Sequence, residues 1–269
     1  MTHEINKEEG FTLVELSIVL VIIGLIIGGI LAGQDMIRAA EVRSTIAQIE
    51  KFNTSTNTFR DKYRYIPGDM NSVKAGEYGL ETRTGAVGHG DGNGRLEGCA
   101  AGAVAFGCET ALYWRDLAQV GLIGTDMNYA TDALGNAGAA IAGPVLPDFI
   151  PEASLGRGNY FNVFNAAGIN YFQLAGVSGI DATGVHTLVN ALTPQEAENI
   201  DSKVDDGRPA TGVVRAMEGT GPLNTAAVPA TSAVGVCVDV AGNAPYNTND
   251  AAVADVSTTP SCQLRFRFN

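Results

Sequence analysis

The side chains equipped for chemistry are few and scattered. His89, Cys99 and Cys108 are zinc-ligand types, but their spacing fits no zinc module. His186 belongs to no His-Glu-x-x-His pattern and stands beside no nucleophile motif, so neither a metalloprotease nor a triad hydrolase is supported. Asp205-Asp206 offers a carboxylate pair for acid/base work, yet adjacent acids followed by Gly207 read as a solvated helix end. The glycines of residues 85–94 lead into no Gly-Lys-Ser/Thr, which argues against nucleotide binding. The chain reads as one without a catalytic centre.

Two constellations remain. In His89-Gly90-Asp91-Gly92-Asn93-Gly94-Arg95-Leu96-Glu97, the oxygens of Asp91, Asn93 and Glu97 match the middle of an EF-hand loop, with Gly94 at the bend and Leu96 two residues on. The ends differ: His89 stands for the loop's first aspartate and Ala100 for its bidentate glutamate, so a calcium ion would need ligands such as Asp69 or Glu109. The competing reading is a pair of tight turns built on Asp-Gly and Asn-Gly. The second constellation is one acid, Glu15, inside residues 11–33, a run of 23 residues free of Lys, Arg, Asp and Pro. As a helix this run is about 34 Å long, enough for a hydrocarbon core of about 30 Å. A charge at the centre of such a span costs about 2.5 to 3.5 kcal/mol and less near its end, so Glu15 asks for a partner.

The element that must position Glu15 continues past the apolar run. Ile37, Val42, Ile46, Ile49, Phe52, Phe59 and Tyr63 recur at spacings near three and four, with Arg43, Gln48, Glu50 and Lys51 between them, the pattern of an amphipathic helix. Tyr65-Ile66-Pro67-Gly68-Asp69 stops it, since Pro67 disfavours helix in the residue before it. One helix of about 80 Å is expected over residues 11–63. Gly24, Gly28, Gly29 and Gly33 form two small-xxx-small pairs, suited to close packing between helices or to local unwinding.

Beyond residue 63 the sequence predicts one globular domain, since about 205 residues suffice for a sizeable core. Residues 70–107 are rich in glycine and small residues and read as loop. Thr110 caps an expected helix ending at Gly121 or Gly124, with Tyr113, Leu117 and Val120 on one face and Trp114 as a core anchor. Residues 125–158 read as a surface excursion. Residues 160–177 alternate apolar and polar as two strands turning through Ala166-Ala167-Gly168. Thr193-Pro194-Gln195-Glu196 is a capping box, so a helix starts at Pro194, buries Ala197, Ile200 and Val204, and stops at Asp206-Gly207. Residues 212–217, 234–240 and 263–268 are further strands; in the last, Leu264, Phe266 and Phe268 face the core while Arg265 and Arg267 face solvent or a partner. A long helix followed by strand-rich sequence predicts an α+β fold with an antiparallel sheet.

Charge and cysteines set the compartment. The formal net charge of −12 repels phosphate backbones, so no nucleic acid is expected as a partner. Cys99, Cys108, Cys237 and Cys262 form no Cys-x-x-Cys motif, and an even count beyond a membrane span reads as two disulfides. Three pairings exist on paper; Cys99 with Cys108 and Cys237 with Cys262 are the local ones.

Gly10-Phe11-Thr12-Leu13-Val14-Glu15 and the apolar run behind it resemble the class III leader and N-terminus of type IV pilins and type II secretion pseudopilins. A cleaved secretory signal carries its small residue after the apolar run, whereas Gly10 precedes it, so a cut there keeps the helix. The resemblance implies cleavage after Gly10 by a prepilin peptidase, methylation of Phe11, and an assembly role for Glu15 opposite the Phe11 amine of a neighbouring subunit. It covers residues 10–63, with softer likeness to longer pilin-like proteins in Gly90-Asp91-Gly92-Asn93-Gly94, in residues 200–207 and in the cysteine-bounded C-terminal end. One departure is the acidic leader, Glu4, Glu8 and Glu9 against Lys7, which removes the usual basic signal for orientation. Losing three acids and one base on cleavage brings the net charge from −12 to −10.

The expected organisation is a leader at 1–10, a membrane and filament-core half-helix at 11–33, an amphipathic half at 34–63, and a periplasmic or extracellular globular domain at 64–269. The expected function is a structural subunit of a type IV pilus or secretion pseudopilus, not an enzyme, anchored in the bacterial inner membrane with its globular domain in the periplasm. Its partners would be homologous subunits, the prepilin peptidase and the assembly machinery. The alternatives are a minor pilin acting as a tip adhesin and a membrane-anchored binding protein that does not polymerise. No motif requires a cofactor; calcium is the one ion the 89–97 loop suits.

Overall fold

The computed structural model describes residues 12–83, 89–98, 106–124, 126–128, 139–189, 191–217, 221–222, 237–238, 245–248 and 260–268. Helix α1 spans Leu13–Tyr63 without a break. It ends where Arg64 turns to φ 67°, three residues before Pro67. The chain divides into two compact units, residues up to Glu41 and residues from Val42 onward. In the first, the apolar side chains of α1 are exposed, among them Leu13, Leu20 and Leu25. In the second, Val42, Thr45, Ile49, Phe52, Thr56, Phe59 and Tyr63 are buried at alternating spacings of three and four, the stripe that seats a helix on a core. Ile37, expected in that stripe, is exposed, and Ile46 is only partly covered.

After α1 the chain is less of a loop than its composition predicts. A short helix, α2 (Ser72–Glu77), is capped by Asn71, whose side chain accepts the Lys74 N–H at 3.0 Å. Helix α3 (Glu109–Gln119) is capped at Cys108, two residues before the expected cap. Thr110 is therefore not the cap but lies in the first turn, its hydroxyl exchanging hydrogen bonds with the backbone of Gly107. Gly121, at φ 74°, ends the helix as expected. Gly68 passes so close to α3 that an added Cβ would sit 2.2 Å from the Glu109 carbonyl oxygen. There its N–H donates to Asp116, which also holds Arg83 in a fully buried ion pair. Removing one partner of such a pair typically costs about 3 to 5 kcal/mol, so this contact pins the segment after α1 to α3.

The remaining elements are β1 (Ile141–Ala142), β2 (Asn159–Ala166), β3 (Ile169–Ile180), β4 (His186–Val189), α4 (Pro194–Val204), β5 (Val214–Met217), β6 (Gly221–Pro222) and β7 (Gln263–Phe268). The described strands form one antiparallel sheet with the path β5-β7-β3-β4-β6, β1 and β2 also pairing with β3. The β2–β3 hairpin turns at Ala167 and Gly168, both at positive φ, the conformation a two-residue type I′ turn requires. Strand β4 was not foreseen. Residues 139–158, the larger described part of the 125–158 segment, are not a surface excursion, because Ile141, Leu146, Phe149, Ile150, Ala153 and Leu155 are buried. In the 234–240 segment only residues 237 and 238 are described, Val238 bridging Tyr246.

The core of the second unit joins α1, α3 and the sheet through aromatic rings. Phe52 meets Trp114 at 4.9 Å and Phe161 at 5.2 Å, and Phe172 stacks on Phe268 at 4.1 Å. Each such pair contributes about 0.5 to 1.5 kcal/mol beyond its buried area. The polar face of the strands is covered as well. Asn162, Gln173 and Arg265, which lie in register on β2, β3 and β7, are all buried, so Arg265 does not face solvent; Arg267 does. On α4 the Thr193 capping box forms, but Val204 is 38% exposed rather than buried.

Candidate functional site

The start of α1 is built on residues that serve the helix before they serve anything else. Thr12 is its cap: the Thr12 N–H and hydroxyl each donate to Glu15 Oε2 at 2.8 Å, and the Glu15 N–H donates to Thr12 Oγ1 at 3.3 Å. This is a capping box, readable in the sequence as Thr-x-x-Glu and missed when Glu15 is considered only as a charge in an apolar span. Gly10 and Phe11, the expected processing residues, lie outside the described residues. Gly24, Gly28, Gly29 and Gly33 have nothing within 4 Å of where a Cβ would stand. A glycine inside a helix costs about 0.5 to 1 kcal/mol relative to alanine, and no packing among the described residues offsets it. By length and composition α1 is the one described helix able to cross a membrane.

The 89–97 loop is organised by two carboxylates from outside it. Asp69 accepts the N–H groups of Gly92 (2.9 Å), Asn93 (3.1 Å) and Gly94 (2.7 Å). Glu109 accepts those of Gly90 (2.8 Å), Asp91 (3.2 Å) and Glu97 (2.9 Å). Burial pushes Asp69 up to about 6 and Glu109 up to about 8, against these amide bonds. Gly90 closes the cradle, since a Cβ there would lie 2.2 Å from the Met70 carbonyl oxygen. Asp91, Asn93 and Glu97 do come together, but through the Asn93 amide, which donates to Asp91 Oδ2 at 2.9 Å and to Glu97 Oε2 at 3.4 Å. One oxygen from each of Asp69, Asp91 and Glu109 falls within 4.8 Å of the others, so the ligands named as possible supplements lie beside Asp91.

His89 Nε2 lies 2.9 Å from Cys108 Sγ, a disulfide-bonded sulfur, and burial lowers the His89 pKa. Cys99, the expected partner of Cys108, lies outside the described residues, as does Ala100. Cys237 and Cys262 are joined by a disulfide. His186 is buried with neither ring nitrogen hydrogen-bonded, and burial takes its pKa down to about 4. Asp205 and Asp206 hold the turn after α4: Asp205 accepts from the Val213 and Val214 N–H groups, Asp206 from the Arg208 N–H and the Thr211 hydroxyl.

Comparison with known proteins bears on the N-terminus alone. Residues 5–31 match the family model described as the prokaryotic N-terminal methylation motif. No curated protein and no solved structure matches the chain. The N-terminal segment thus carries the motif of a prepilin-type precursor, and its apolar helix fits a membrane-anchored one.

Proposed function

We propose that this protein is a type IV pilin-like structural subunit, cut after Gly10, methylated at Phe11, held in the inner membrane by the first half of α1, and assembled through that helix into a pilus or secretion pseudopilus. The observation that carries the reading is the methylation motif at residues 5–31, laid over the start of the one described helix that can span a bilayer. The four glycines without an intrachain neighbour suit close approach of helices from other subunits. Both capping bonds fall on Glu15 Oε2, which leaves Oε1 to face the Phe11 amine of an adjacent subunit. The globular domain would lie in the periplasm and then along the filament, with the prepilin peptidase and the assembly machinery as transient partners.

The test is the intact mass of the protein extracted from membranes of cells with and without a prepilin peptidase. The expected product lacks residues 1–10 and carries one added methyl group on Phe11, only where the peptidase is present. A full-length chain in both strains would overturn the proposal.

A further inference from the structure

Two arginines are buried in this fold, and only one of them has an anion. Arg83 sits against Asp116, whereas Arg265 meets no carboxylate. Strands β5, β7, β3 and β2 bring Arg215, Arg265, Gln173 and Asn162 into register as one row, on the face of the sheet opposite to Phe172, Leu264 and Phe266. Directly opposed residues of an antiparallel pair have Cβ atoms about 4.5 to 5.5 Å apart, so each member of the row is the next one's neighbour. Arg265, Gln173 and Asn162 are buried and Arg215 is partly covered. Gln173 Nε2 donates to Gln263 Oε1 at 2.7 Å. The row is otherwise unpaired: Arg265 Nε and Nη2, Gln173 Oε1, and both Nδ2 and Oδ1 of Asn162 are buried without a hydrogen bond. Buried polar groups in native folds have partners, so this row asks for one.

We propose that this row binds a small carboxylate, gripped by Arg265. A guanidinium does not give up its proton, so Arg265 stays charged where another buried group would neutralise itself. The groups that act on that charge are Tyr171, whose ring centroid lies 5.2 Å from the guanidinium carbon, and Arg215, which has the same sign. Among the described residues no ion pair involves either arginine. A water would satisfy the hydrogen bonds and leave the buried charge unmet, which is the costlier part. Nε and Nη2 are adjacent donors on one edge of the guanidinium, the fork that holds both oxygens of a carboxylate through parallel bonds. The unpaired Gln173 Oε1 is an acceptor in the neighbouring position, and it suits a hydroxyl on the same ligand. A hydroxy acid therefore uses more of the row than a plain carboxylate does. Burial of three of the four side chains keeps the ligand small, and Arg215, the partly exposed member, marks the end from which an anion enters.

The test melts the full-length protein in detergent at fixed ionic strength while acetate or glycolate replaces chloride. A ligand that binds the folded state alone raises the thermal midpoint as its concentration passes the dissociation constant. The wild type should respond to both carboxylates, and to glycolate at the lower concentration. Exclusion of a salt from the protein surface also raises midpoints, so the variants carry the reading. Arg265→Gln should lose the response specific to the site, and Arg267→Gln, at the exposed position two residues on, should keep it. If Arg265→Gln does not fold by circular dichroism, Arg215→Gln replaces it and should move the response to concentrations about threefold higher or more, because a second positive charge beside the anion is gone. Equal midpoints in chloride and in both carboxylates, an undiminished response in Arg265→Gln, or an unmoved one in Arg215→Gln where that variant is the reporter, would overturn the proposal.

Discussion

Glu15 serves two purposes that a single alanine substitution confounds. It closes the capping box with Thr12, worth about 0.5 to 2 kcal/mol to a helix start, and it places a charge where a neighbouring amine would be drawn. Glu15→Gln separates them, because glutamine keeps a side-chain acceptor for the Thr12 N–H and loses the charge. If pairing between subunits drives assembly, both Glu15→Gln and Glu15→Ala should stay in the membrane and fall out of filaments, with losses of about 2 to 5 kcal/mol typical of a buried charge pair broken on one side. Quantifying each variant in the sheared filament fraction checks this. Wild-type incorporation of Glu15→Gln would leave only the cap. The residue was legible in the sequence as a charge; its local role was legible too, in Thr12-x-x-Glu15, but a capping pattern is easily passed over where a membrane span begins.

Elements with a strong period were legible. The β2–β3 hairpin and β7 follow from alternation and turn residues, and α4 from its capping box. Alternation cannot tell whether the polar side of a strand is covered, which is why Arg265 and Asn162 turn out buried. The 89–97 loop was legible as a set of turns, but the carboxylates that organise it come from Asp69 and Glu109, each some twenty residues away, a pairing that no local pattern encodes. That arrangement predicts a pH dependence. The folded protein holds the Glu109 proton up to about 8, against an ordinary value of 4.5, so its contribution to stability is full below about 4.5 and is lost as pH rises through 8. Asp69 and Asp201, at about 6, act in the same sense at lower pH. His186, lowered from 6.5 to about 4, acts oppositely and has made its full contribution above 6.5. Between pH 6.5 and 8 the thermal midpoint should therefore fall, and Glu109→Gln should flatten that fall while lowering stability at every pH by losing its acceptor for the Glu97 N–H. An undiminished slope in the variant, followed by circular dichroism, would count against Glu109 as its source.

At the scale of the molecule, two units of opposite character share one helix, and different forces hold them. In the unit up to Glu41 the described apolar side chains are exposed, a surface that a bilayer or neighbouring helices would cover. The unit from Val42 onward has its own core and a covalent tie, Cys237 to Cys262, 25 residues apart. That tie sets β7 in place, because Cys262 immediately precedes it and bridges Leu192, next to the start of α4. Reducing the freedom of the unfolded chain across such a loop contributes about 2 to 4 kcal/mol. Replacing both cysteines with serine should then lower the denaturant midpoint reported by Trp114, which is fully buried in the core of the second unit, without changing the share of protein that pellets with membranes. Measuring both quantities on one preparation makes the comparison strict. An unchanged Trp114 midpoint would mean that the hydrogen bonds around Cys262 hold β7 without the disulfide, and a drop in the membrane fraction would mean that the anchor depends on the folding of the second unit.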